Sequence, residues 1–208
     1  MKKRTPSTGT HLVPVWRRAR SGRHGRLAGA TVGGIFGSIW LIASADTPLG
    51  DGAAAAVRIV GIVGIAVLVG AQRGVRRHAD AAPARPDRQV DLFGRTYWLI
   101  VTGEVAALAV GSAAFAAAAA APTEIYRPWA ALIVAIHFVA FHRAGVWQGN
   151  PIWPVIPLLA VGLAGFALAF TADADWVSLV SGIGSGVVLL GGSLRVIVRE
   201  RAAARVPA

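Results

Sequence analysis

Two ionisable residues stand inside apolar runs, and both are of types that pair charges or move protons. Glu104 is the sole charged side chain in Trp98–Gly111, WLIVTGEVAALAVG, and His137 lies in AALIVAIHFVAFHRAG, six residues before Arg143. A carboxylate or imidazole in hydrocarbon is costly, so such residues face a bundle interior, pair with one another, or line a pathway. The chemistry open to Glu104, His137 and Arg143 is therefore of three kinds. One is a structural ion pair, one a neutral acid hydrogen-bonded to another helix, and one a proton relay or a cation or substrate site.

The elements that must position these groups follow from composition. The chain is 55% hydrophobic and 15% charged, with a mean hydropathy of +0.57, outside the range of an ordinary soluble domain. Six uncharged or nearly uncharged runs approach the roughly 20 residues that cross a bilayer. They cover Leu27–Ala45, Ala53–Ala71, Tyr97–Ala120, Trp129–Trp147, Ile152–Ala172 and Val177–Val198. Backbone amides in lipid must be satisfied internally, and the runs lack the alternation of barrel strands, so they are helices. The expected fold is all-α, a six-span transmembrane bundle. A basic tail (1–26), a basic loop (72–96) and a short tail (199–208) flank and interrupt it. Pro151, Pro154 and Pro157 crowd the start of the fifth span, where early proline is tolerated and later proline kinks. The first span, preceded by a long basic leader, reads as a retained helix rather than a cleaved signal peptide.

Orientation comes from charge. Of the 21 Lys and Arg residues, 19 fall in the N-terminal tail, the loop, the fourth-to-fifth turn and the C-terminal end from Arg195; only Arg58 and Arg127 do not. The positive-inside rule then puts both termini in the cytoplasm. All seven tryptophans and both tyrosines lie near span ends, as interfacial aromatic belts require. The formal charge of +11 is accounted for by topology and by attraction to anionic lipid headgroups, rather than by nucleic acid.

Depth and side-chain direction bear on the pairing of Glu104. With Tyr97 and Trp147 as edge aromatics, helical rise puts Arg143 about 6 Å in, Glu104 about 10 Å and His137 about 15 Å. Cβ vectors tilt toward a helix's N-terminus, so Glu104 leans toward the cytoplasm and Arg143 into the membrane. That favours Glu104–Arg143. Rotation of the two helices about their axes decides between Arg143, His137 and neither.

Small residues recur at helical spacing, where they let membrane helices approach closely. Gly29, Gly33 and Gly37 form one ridge, Gly103, Ala107 and Gly111 a second, and Gly182 and Gly186 belong to GIGSG in the last span. GIGSG has no Walker lysine or strand context and reads as packing rather than a phosphate loop. These faces serve contacts within the bundle, with another copy, or with a membrane partner.

His137 and His142 are five residues apart and on different faces, which removes the i, i+4 geometry of two ligands on one helix. With no cysteine there is no thiolate site, so neither metal nor cofactor is expected. No G-x-S-x-G, H-E-x-x-H, paired-carboxylate or Walker pattern occurs in a suitable context, and no catalytic residue is assigned.

FGRTYWLIVTGEVAALAVG followed by PWAALIVAIHFVAF resembles a group of small multi-spanning membrane proteins of high-GC actinobacteria. The shared order is aromatic–Glu on one helix and Pro-Trp…His-Phe on the next. The resemblance implies a bacterial cytoplasmic membrane and the same hairpin as the centre of interest; it implies no activity. The expected role is a noncatalytic accessory or assembly subunit. The alternatives are a small proton-coupled transporter or channel using Glu104 and His137, and a lipid-modifying membrane enzyme.

Overall fold

The computed structural model describes residues 15–46, 48–80, 94–118, 120–145, 152–171 and 175–204. Its elements are α1 (Val15–Ala43), α2 (Asp51–Asp80), α3 (Arg95–Ala117), α4 (Tyr126–Arg143), α5 (Val155–Ala169) and α6 (Gly184–Ala204). A 3₁₀ turn, Thr123–Ile125, leads into α4, and a π-helical turn, Ser178–Ile183, leads into α6. No strand occurs among the described residues.

Local chemistry explains where the helices start and stop. Asp51 sits in the first turn of α2 and complements the positive end of the helix dipole. Pro128 lies in the first turn of α4, where its missing N–H costs nothing. His142 and Arg143 occupy the last turn, beside the dipole's negative end. Gly145 then takes φ 63°, a left-handed conformation that ends helices. The fourth helix therefore stops before the expected Trp147, which lies outside the described residues. Pro154 caps α5, which starts at Val155, and Phe170 caps its other end after Ala169, so 15 residues are helical where the sequence predicts 21. Conversely, α2 runs on to Asp80 through Ala, Gln and Arg, good helix formers. Part of the expected basic loop is thus helical, and 81–93 lies outside the described residues. Helix α1 likewise extends back to Val15, and residues 1–14 of the basic tail are outside. Helix α6 runs through the start of the last tail to Ala204, with 205–208 outside.

Four helical stretches are long and apolar enough to cross a membrane: Asp51–Gly74, Arg95–Ala117, Thr123–Arg143 and Ser178–Ala202. Gly29–Ala43 and Val155–Ala169 are apolar but shorter. Side chains that a soluble domain would bury are exposed in quantity. Ile59, Val60, Ile62 and Val63 on α2, and Trp98, Leu99, Val105 and Val110 on α3, are each more than half exposed. Such surface fits lipid rather than water.

The helices form two groups. In the first, α1 packs against α6 and α2 around Leu41, Leu68, Leu190 and Ile197. Glycine sets that spacing: a Cβ on Gly37 would lie 2.5 Å from the Leu190 nitrogen and 2.9 Å from the Gly186 oxygen. In the second group α4 packs against α5 and α3. The groups meet where Ala135, Leu158 and Leu189 pack together and where the π turn touches α1, α4 and α5. Helix α3 is the outlier. It leans chiefly on α4 and has no buried residue.

Candidate functional site at the α3–α4 seam

The residues of α3 that touch its neighbours form one stripe. Tyr97, Glu104 and Gly111 follow at intervals of seven, with Phe115 one turn beyond, and all four are partly covered. Each meets an aromatic or polar group of α4. Tyr97 stacks on Phe141, with centroids 5.4 Å apart and planes at 9°. Glu104 Oε2 lies 2.6 Å from His137 Nδ1. A side chain on Gly111 would collide with the Trp129 indole, and Phe115 packs edge-on to Trp129 at 5.6 Å. Phe115 also reaches Phe166 of α5, at 6.1 Å.

The structure thus joins Glu104 to His137, and Arg143 stands exposed without an ion pair to Glu104. Register is the physical reason. The expected depths align Tyr97 with Trp147, whereas Tyr97 stacks on Phe141, six residues nearer the start of α4. From that stack, Glu104 stands about 10 Å along α3 and His137 about 6 Å back along α4. The lean of Cβ toward each N-terminus then moves the two side chains toward one another. The gap closes on His137.

The pair is enclosed but not sealed: the side chains of His137 and Glu104 are 13% and 19% exposed. The imidazole lies edge-on to Phe141 at 4.1 Å and to Phe138 at 5.9 Å. Phe141 itself is 2% exposed and screens the pair on one side. The contact is short, yet Nδ1 makes no aligned hydrogen bond. A carboxylate attracts an imidazole as an acceptor of its ring N–H. Arg143 and His142 are exposed at the end of α4. Among the described residues no group of three His, Asp or Glu side chains is placed to hold a metal ion.

The glycines divide. Gly33 faces Ser193 of α6, Gly37 and Gly186 meet at the α1–α6 crossing, and Gly182 faces Ser44. Gly29 lines a cleft between α1 and α6. On α3 the ridge splits: Gly111 seats Trp129, Ala107 is half-buried, and Gly103 faces open space.

A second polar cluster, at the opposite end of the bundle from the arginine-rich termini, is absent from the sequence-based expectations. Arg127 at the start of α4 pairs with Asp46 beyond α1, Nη2 to Oδ2 at 2.6 Å, and donates to Ser178 in the π turn. Arg58 of α2 donates to the Ala45 carbonyl at 2.6 Å. The two arginines that break the charge asymmetry thus both clasp the segment after α1. Their isolation in the sequence was the available signal. Near the other end Gln72 donates to Thr31 at 2.6 Å and ties α2 to α1.

Comparison with protein-family models, curated proteins and solved structures gives no match for this chain.

Proposed function

We propose that the protein is a six-span membrane protein of the bacterial cytoplasmic membrane, with both termini inside. In this reading it is a noncatalytic accessory or assembly subunit, and the Glu104–His137 pair holds α3 at the edge of the bundle. The observation that carries it is the closed 2.6 Å contact on a helix with no buried residue of its own. A helix attached along one stripe keeps its other face free for a partner helix or a second copy. Thr102, Gly103, Ala106 and Ala109 are exposed there, and small residues favour close helix approach in lipid. The charge asymmetry and two shorter apolar helices, α1 from Gly29 and α5, support six crossings with cytoplasmic ends.

The deciding experiment is thermal unfolding of wild type and Glu104→Gln in one detergent near neutral pH. A lower Tm for the variant supports the clasp; an unchanged or higher Tm means the acid is kept for a purpose other than attachment.

One observation favours a second reading, proton-coupled transport or conduction. An acid and an imidazole in contact between membrane helices are the components of a proton relay. Proton flux in proteoliposomes that disappears in a folded Glu104→Gln variant would establish it, and absence of flux under an imposed gradient would reject it.

A further inference from the structure

Near the arginine-rich end, a cleft lies where α1, α6 and Trp153 meet. Its walls are Gly29 and Gly33 of α1, Phe138 of α4, Trp153 ahead of α5, and Val188 and Gly192 of α6. The cleft holds about 40 Å³, room for a few methylene groups rather than for a whole ligand. Glycine lets its walls approach closely. A Cβ on Gly192 would come within 3.1 Å of the Trp153 ring, and one on Gly33 within 3.2 Å of Ser193 Oγ. The Ser193 hydroxyl already donates to the Leu189 carbonyl at 2.8 Å, so the walls call for an apolar guest.

The rim is different in kind. The Arg195 guanidinium lies over the Trp153 ring, 5.7 Å from its centre. Trp153 therefore closes the cleft with the edge that meets Gly192 and carries a cation on its face. A guanidinium stacked on an aromatic ring keeps its N–H edge available for a phosphate. Arg195 and Arg199, one turn further, are both exposed. An apolar slot beneath a cationic rim matches a molecule with a hydrocarbon tail and an anionic head.

We propose that this cleft binds one anionic phospholipid, with part of an acyl chain in the glycine-walled slot and the phosphate at Arg195. The proposal rests on the topology above, which turns this end toward the anionic cytoplasmic leaflet. Free phosphate would use the rim alone and leave the slot unused.

The test is native mass spectrometry of the full chain in detergent, loaded with equimolar dioleoyl phosphatidylglycerol and dioleoyl phosphatidylcholine. Wild type should retain one phosphatidylglycerol with about fivefold preference, the weight of one interfacial basic residue. Arg195→Gln should bring the preference close to one. Val188→Phe, which narrows the slot, should lower retention of both lipids. Equal retention of the two lipids by wild type overturns the proposal, as does an unchanged preference in Arg195→Gln. Because Arg195 is exposed, that variant keeps the fold even if Val188→Phe does not. Retention in detergent is independent of orientation, so a wrong topology is detected separately, by maleimide labelling of Thr96→Cys.

Discussion

Glu104 and His137 contribute differently from Arg127 and Asp46, although both pairs close to 2.6 Å. The first pair is 19% and 13% exposed, whereas the Arg127 and Asp46 side chains are 34% and 40% exposed. Solvent screens the second, and exposed ion pairs contribute about 0–1 kcal/mol. Removing one partner of a buried pair costs about 3–5 kcal/mol in soluble proteins. Polar contacts between membrane helices average nearer ~0.6 kcal/mol. For this partly covered pair we expect Glu104→Ala to cost about 2 kcal/mol, between those limits. Asp46→Asn should cost less than about 1 kcal/mol. A double-mutant cycle over Glu104→Ala and His137→Ala, read by unfolding in mixed micelles, should give a coupling of about 1 kcal/mol. Additive single effects would remove the pair from the architecture. The oddity of each residue was legible from its neighbours in the chain, but their partnership was not. Arg143 is equally charged and close in sequence, and it points elsewhere.

At the scale of elements, spacing alone marks Gly37 and Gly103 as members of equivalent small-residue ridges. The structure gives them opposite surroundings. At Gly37 an added Cβ meets Leu190 and Gly186 backbone within 3 Å, and at Gly103 it meets nothing within 4 Å. Gly37→Ala is therefore an overpacking change that should destabilise by about 1–3 kcal/mol. Gly103→Ala should be neutral or stabilise by up to ~1 kcal/mol, through helix propensity. Unfolding midpoints of the two variants check this; equal losses would mean that Gly103 also lies in a contact, as in an oligomer. The proline cluster at the fifth helix acts locally. A proline disfavours helical backbone at the residue before it, and α5 begins at Val155, three residues after the expected Ile152. Helix α5 is short, about 22 Å at the helical rise against a hydrocarbon core near 30 Å.

At the scale of the whole molecule, a chain without cysteine permits single-cysteine mapping with no background. Thr123→Cys, exposed just ahead of α4, should react with an impermeant maleimide in intact spheroplasts. Thr96→Cys, exposed at the start of α3, should react only after permeabilisation. The reverse pattern would invert the proposed topology.

The sequence by itself determined the helical class, the approximate location of the helices and the division of charge between their ends. All three are additive properties of neighbouring residues: hydropathy summed over a window, propensity within a turn, and arginine counted by segment. Only the tertiary structure decided that α3 hangs on α4 by one stripe and that Glu104 meets His137. It also decided that Arg127 and Arg58 clasp the segment after α1. These depend on the rotation and axial offset of one helix against another. A shift of about 9 Å, six residues of rise, exchanges one partner for another without altering any local preference. The offset is set by contacts distant in the chain, Tyr97 on Phe141 and Trp129 over Gly111. No local pattern encodes that register.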